Sequence, residues 1–170
     1  GTNLSGEPRR LLILRHAKSS WVEPSADDWE RPLTDRGRRG ATHVGELLRR
    51  LSLVPDTIIS SDAVRAETTA RLVADAAGYS GKVVLSPALY HATPDKVIDV
   101  LREVRDRSAH AIMIVAHNPG LEDLVGELTG ARVEMPTAAL ANVALAIDEW
   151  HELDPATGGT LIDFWRAADL

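Results

Sequence analysis

The sequence predicts a three-layer α/β/α domain whose helices cover both faces of a mostly parallel, mixed sheet with a C-terminal hairpin. Three observations carry that expectation. Short β-branched runs alternate with helix-period segments, capping and stop residues stand between them, and two strand-like runs flank a DPATGG turn near the end. Such alternation implies βαβ units, with crossover helices on both faces of a parallel sheet. The terminal hairpin makes the sheet mixed.

Residues 1–8 are polar, carry no initiator methionine and are read as a flexible tail or a cloning remnant; residues 9–170 are read as one domain. The first strand is expected over about Arg9–Leu14, followed by a loop from Arg15 to Leu33. Thr34 is placed to cap a helix that runs to about Leu51. VPDTIIS, Val54–Ser60, is a short β-branched strand. Asp62 is the expected N-cap of an alanine-rich helix, Ala63–Ala77, which Gly78 stops. A third strand follows at Lys82–Leu85. Thr93 and Pro94 open a helix to Arg107, in which Val97, Val100, Leu101 and Val104 share a face. AIMIV, Ala111–Val115, is of strand length, and a helix is expected over about Pro119–Leu128. Asn142–Glu149 and Thr160–Arg166 form the hairpin.

Composition narrows the function classes. A chain of 170 residues, 44% hydrophobic and 26% charged, suits one compact domain with a sizeable core. No apolar run approaches the roughly 20 residues that span a bilayer, and no charged-then-apolar leader stands at the start. The expectation is a cytoplasmic protein without a membrane partner. With 0 cysteines the chain has no disulfide, thiol nucleophile or thiolate metal site. The formal net charge of -6 argues against a nucleic-acid partner, which wants a basic face. His43, His110 and His151 are read as structural or exposed, and no metal-ligand spacing links the histidines. No cofactor is expected.

Arginine far outnumbers lysine, and its position matters more than its number. LLILRHAKSSW runs four apolar residues into Arg15 and His16. The second strand ends in SSDAVRAETTA, with Arg65 in the first turn of its helix, and AIMIV ends in Ala116-His117-Asn118-Pro119-Gly120. If the three strands are parallel, two arginines and two histidines converge on the rim where open α/β sheets bind ligands. Helix N-termini there add N–H donors and a positive dipole end. An acidic protein that concentrates these groups in one place has built an anion site, and phosphate is the anion it suits.

LRHAKSSW, SSDAVRAETTA and VAHNPG resemble the histidine phosphatase superfamily, which includes phosphoglycerate mutases and acid phosphatases. Within it, RHAKSSW, RPLTDRGRRGA and HNPGLEDLVGELTG are similar to the SixA-like phosphohistidine phosphatases, and the likeness runs from about Arg9 onward. The resemblance implies a phosphoglycerate mutase-like fold and a metal-independent phosphatase. His16 would be the nucleophile, forming a phosphohistidine that water hydrolyses. Flanking arginines would disfavour its protonated form. Arg15 and Arg65 would grip the non-bridging oxygens, and His117 would stabilise the transferring group. Ser19 and Asn118 are further candidates for phosphate contact, with Lys18 beside Ser19 in the same loop. Asn118 is equally placed to cap the next helix. Arg31 is expected to brace the loop in an ion pair, and Trp21 matches a loop aromatic common in the superfamily.

The chain departs from the mutase pattern. Where many members carry a glutamate that protonates the leaving oxygen, SPALYHATPDK offers Leu89, Tyr90 and His91, with no carboxylate before Asp95. Val22 replaces a loop asparagine, and large insertions that would enclose a metabolite are missing. An alkoxide leaves badly without a proton, whereas a phosphorylated imidazole leaves more readily. An open site without a dedicated acid therefore suits phosphohistidine on a phosphorelay or phosphotransfer protein. His91, Asp27, Asp28 or Glu30 could still supply the proton, and a small phosphomonoester then returns as substrate. A non-catalytic phosphohistidine-binding module is the third alternative, although binding alone does not require a nucleophile.

Overall fold

LLIL is apolar at consecutive positions because its strand is covered on both faces. In the computed structural model, which describes residues 8–21, 27–167 and 170, Arg9–Arg15 forms β1. Leu11 and Ile13 enter one core while Leu12 and Leu14 enter the other, as the two-residue period of a strand requires. Residues 1–7 of the expected tail and Val22 lie outside the described residues.

The remaining elements are α1 (Asp35–Arg50), β2 (Thr57–Ser60), α2 (Val64–Ala77), β3 (Val83–Leu85), α3 (Pro94–Arg102), β4 (Ala111–Ala116), α4 (Gly120–Thr129), β5 (Leu140–Leu145) and β6 (Gly159–Trp165). Among the described residues the sheet has six strands in the order β3-β2-β4-β1-β5-β6. β1 to β4 are mutually parallel, and β5 runs antiparallel to both β1 and β6. α1 and α2 pack on one face, α3 and α4 on the other. This is the expected three-layer architecture with its terminal hairpin.

Several boundaries move for local reasons. Thr34 caps α1 as expected, its hydroxyl accepting from Gly37 N at 3.0 Å, a contact type worth about 1 kcal/mol. Asp62 does not cap α2. The N-cap is Ala63, and Ser61 Oγ takes the Ala63 amide at 3.2 Å. Gly78 ends α2 with φ 71°, the left-handed position that glycine adopts without strain. α3 ends at Arg102 rather than Arg107. Beyond it Asp106 accepts from the Ser108 backbone and hydroxyl at 2.9 and 2.6 Å, and that local turn competes with the helix. Thr93 stands at the N-cap of α3 but makes no side-chain cap bond. β2 begins at Thr57, not Val54, and β5 spans Leu140–Leu145 instead of Asn142–Glu149.

Register positions the functional rim. Arg15 on β1 lies opposite Ala116 on β4, and Ser60 on β2 lies opposite Val115. The residues that leave these strands, His16, Ser61 and His117, therefore emerge side by side at the carboxyl edge. Backbone bonds continue the ladder one step further, with His16 N donating to Ala116 O at 3.1 Å and Ser61 N to Val115 O at 2.9 Å.

Candidate active site

His16 is buried just past β1, and its Nδ1 lies 2.8 Å from the carbonyl oxygen of Ala17. A carbonyl only accepts, so Nδ1 carries the hydrogen and Nε2 keeps its lone pair. The Ala17 peptide is itself fixed: its amide donates to Thr69 Oγ1 at 2.9 Å, and Thr69 donates to Arg65 O at 2.7 Å. Helix α2 thus presents Arg65 and, one turn on, the threonine that orients the carbonyl facing His16.

Arg65 is 2% exposed, and Arg15 is half-buried, its Nη1 donating to Met135 O at 3.0 Å. Burial lowers the Arg15 pKa, Glu122 raises it, and Arg65 lowers it again, so the two guanidinium groups lie within electrostatic reach of each other. His117 is buried, with its ring 5.3 Å from that of His16 and its Nε2 2.8 Å from Ser61 Oγ. Ser61 Oγ accepts the Ala63 amide and keeps a hydroxyl hydrogen that it can donate to Nε2. With that donation, a neutral His117 carries its hydrogen on Nδ1. Among the described residues, Arg15 Nε, Arg65 Nε and His117 Nδ1 are buried without a hydrogen-bond partner. Unpartnered buried polar atoms are rare in folded proteins, and these three belong to residues of one cationic rim.

Arg65 has a counterion that sequence reasoning listed only as a proton source. Asp28 receives Arg65 Nη2 on Oδ2 at 2.9 Å and Arg65 Nη1 on its backbone oxygen at 2.6 Å. The same Oδ2 accepts from Tyr90 Oη at 2.6 Å and lies 3.0 Å from His91 Nε2. Arg31 holds Oδ1, with Nη2 at 3.0 Å, and so braces the loop in the expected ion pair. Its Nη1 also donates to Ser19 Oγ at 2.7 Å, and its guanidinium stacks on Trp21 at 3.6 Å. Asn118 is engaged on both sides of its amide: Nδ2 donates to Met135 O at 2.8 Å, and Oδ1 accepts from Glu122 N at 3.3 Å. Met135 O is also the anchor of Arg15, which puts Asn118 beside the phosphate candidates as a brace. Lys18 is exposed, and its carbonyl oxygen would lie 2.1 Å from a Cβ at Gly37, so α1 packs directly against this loop.

Ser61, Thr69, Tyr90 and Glu122 escaped sequence reasoning. Only Thr69 had a local signal, its spacing of four residues from Arg65 on one helix face. Elsewhere, Glu149, His151 and Glu152 bring ligand-type atoms within 4.8 Å of one another. These groups bond among themselves and to Arg107.

Burial first, then Arg65, Arg15 and Arg31, lower the His16 pKa from 6.5 to about 4 against the opposing Ala17 bond. Burial first, then His16, Arg65 and His91, lower that of His117 from 6.5 to about 3, Asp28 opposing. Burial opposes ionisation of Asp28, but Tyr90, Arg65 and His91 outweigh it and hold the carboxyl well below its usual range. All three shifts act in one direction. The unfolded chain takes up protons at both histidines as pH falls through 6.5, while the folded chain resists until about 4 and 3. Stability is therefore full above pH 6.5 and declines as pH falls toward 4. Thermal melting between those limits should show this slope in the native protein and a shallower one in His16→Gln. Equal slopes would mean that His16 is not buried neutral.

Comparison with known proteins agrees with the geometry. The pattern of the histidine phosphatase superfamily (branch 1) matches residues 11–91. An uncharacterized chloroplastic protein of Arabidopsis thaliana is 31% identical over 158 residues, covering 88% of this chain and 72% of its own. A solved structure from Agrobacterium tumefaciens, provisionally described as the phosphohistidine phosphatase SixA, superposes with a TM-score of 0.78 at 25% identity. That superposition covers 93% of this chain and 97% of the other. The protein histidine phosphatase SixA complexed with tungstate shares the fold, with a TM-score of 0.79 at 22% identity over 94% and 97% of the two chains. The sheet is thus phosphoglycerate mutase-like, and the site at its carboxyl edge stands in a chain that belongs to the histidine phosphatase superfamily.

Proposed function

We propose that the protein hydrolyses phosphohistidine on a protein partner through a covalent phosphohistidine at His16. The observation that carries this reading is the tautomer imposed on His16, which leaves a neutral Nε2 beside two arginines and a second histidine. Nε2 attacks phosphorus, Arg15 and Arg65 take the non-bridging oxygens, and His117 Nδ1–H donates to the transferring group. Water then cleaves the P–N bond. Phosphoryl transfer asks mainly for positioning and charge stabilisation, and these cationic side chains supply both without calling on a metal. Ser19 keeps a hydroxyl hydrogen available for a phosphate oxygen, whereas Asn118 acts by fixing Met135 and hence Arg15.

Residues 9–170 are read as one histidine phosphatase domain. The protein-borne substrate is supported by the SixA likeness and by the missing glutamate in the segment around Tyr90. The contact between His91 and Asp28 favours a second reading, a small phosphomonoester, because it offers a proton source. Among the described residues no helix is long and apolar enough to cross a membrane, and the reading needs no membrane or nucleic-acid partner.

The test compares a phosphohistidine peptide with p-nitrophenyl phosphate, each run with His16→Ala as control. Faster turnover of the peptide, dependent on His16, is expected. Strong turnover of the ester alone would defeat the protein-substrate reading, and tight peptide binding without turnover would replace the enzyme with a binding module.

A further inference from the structure

We propose that His91, oriented by Asp28, is the proton donor to the departing atom in phosphoryl transfer and the base for water in the second step. The inference rests on the phosphatase reading above and deepens it, because it extends the substrates to phosphomonoesters with poor leaving groups.

The φ of His91 is 48°, a left-handed conformation that is uncommon for a residue with a side chain and concentrates at functional sites. The segment is also pressed against the catalytic edge. A Cβ on Gly120, the first residue of α4, would stand 2.0 Å from the oxygen of Ala92, so only glycine lets α4 and this segment approach so closely. As a result the His91 ring lies 5.0 Å from that of His117, which lies 5.3 Å from that of His16. Tyr90 packs against both, its ring 4.2 Å from that of His91 and 5.4 Å from that of His117.

Ionised Asp28 only accepts, so His91 Nε2 carries a hydrogen toward Oδ2 at 3.0 Å. His91 Nδ1 has no hydrogen-bond partner among the described residues. A histidine with one nitrogen tied to a carboxylate and the other open is a proton relay of fixed orientation.

The carboxylates in reach fit the role less well. Asp28 is saturated by Arg65, Tyr90, His91 and Arg31 and stays ionised. Asp27 and Glu30 are exposed.

The steps balance. In the first, His91 enters as the imidazolium, with Nε2–H on Asp28 and a second proton on Nδ1; His16 Nε2 forms the P–N bond, the bond from phosphorus to the leaving oxygen or nitrogen breaks, and the Nδ1 proton passes to the leaving atom. In the second, water oxygen attacks phosphorus as its proton passes to Nδ1. The P–N bond breaks, its electron pair returns to His16, and inorganic phosphate leaves.

The test is a series of phosphate monoesters from p-nitrophenyl through phenyl to alkyl, run on the native protein, His91→Asn and His91→Gly. Asparagine and glycine both tolerate the left-handed backbone, so the fold is kept while the proton is lost. Native turnover should depend weakly on leaving-group basicity. Both variants should lose roughly 10²–10⁴-fold in kcat/KM, which reports the first step alone, on the alkyl ester and little on p-nitrophenyl phosphate, and added imidazole should restore alkyl-ester turnover in His91→Gly. A uniform loss of kcat/KM along the series, no loss at all, or native failure on the alkyl ester while p-nitrophenyl phosphate is cleaved would overturn the role of His91. Absence of any phosphorylated His16 in the native protein would instead overturn the phosphatase reading beneath it.

Discussion

His16→Ala is expected to lower turnover of both a phosphohistidine peptide and p-nitrophenyl phosphate on the order of 10⁴- to 10⁶-fold, the range for deletion of a covalent nucleophile from an intact site. The size follows from the lack of a substitute. His117 has Nε2 tied to Ser61 Oγ at 2.8 Å, so that nitrogen is not open to phosphorus. The His91 ring lies 5.0 Å from that of His117, and its Nε2 is held by Asp28. The loss should fall on kcat rather than KM, because Arg15 and Arg65 still bind the phosphoryl oxygens. Acid-quenched mass spectrometry supplies the second measurement: the native protein should carry one phosphoryl group on the His16 peptide, and the variant none. Since the His16 pKa is near 4, an acid limb of activity above that pH reports some other group. A variant that retained most of its turnover, or was phosphorylated elsewhere, would remove His16 from the chemistry.

Features set by neighbours in sequence were legible beforehand. The Thr34 cap, the Gly78 stop and the alternation of strands with helices are local. The convergence of Arg15, His16, Arg65 and His117 followed because each sits at the carboxyl end of a strand or in the first turn of the helix after it, where topology alone brings chain segments together. The counterion of Arg65 was not legible. Asp28 meets Arg65 across 37 positions and Tyr90 across 62, and no pattern in one sequence pairs residues so far apart. Ser61 shows a related limit. Asp62 is the better cap by residue type, yet the chain turns so that Ser61 faces both the Ala63 amide and His117, and one hydroxyl serves both the helix start and the histidine.

Arg65→Ala is expected to lower kcat/KM by at least roughly 10²–10³-fold, the range for removing one preorganised donor from a developing anion. Two effects combine. The variant loses the guanidinium, and it leaves Asp28 beside the site without its buried partner and with Arg31 as its remaining arginine, so a less compensated carboxylate faces the incoming phosphate. A dianionic substrate must also share or displace Asp28 on Arg65 in the native protein, since both terminal nitrogens are already engaged with it. Arg65→Lys should recover little, because an ammonium is a single point charge and cannot hold a carboxylate and a phosphate oxygen in one planar fork. Adding Asp28→Asn to Arg65→Ala separates the two effects. If repulsion from the stranded carboxylate is part of the loss, the double variant binds inorganic phosphate more tightly than Arg65→Ala alone, while its kcat stays low. Equal phosphate inhibition in the two would assign the whole defect to the missing donor, and full activity in Arg65→Ala would remove this arginine from the site.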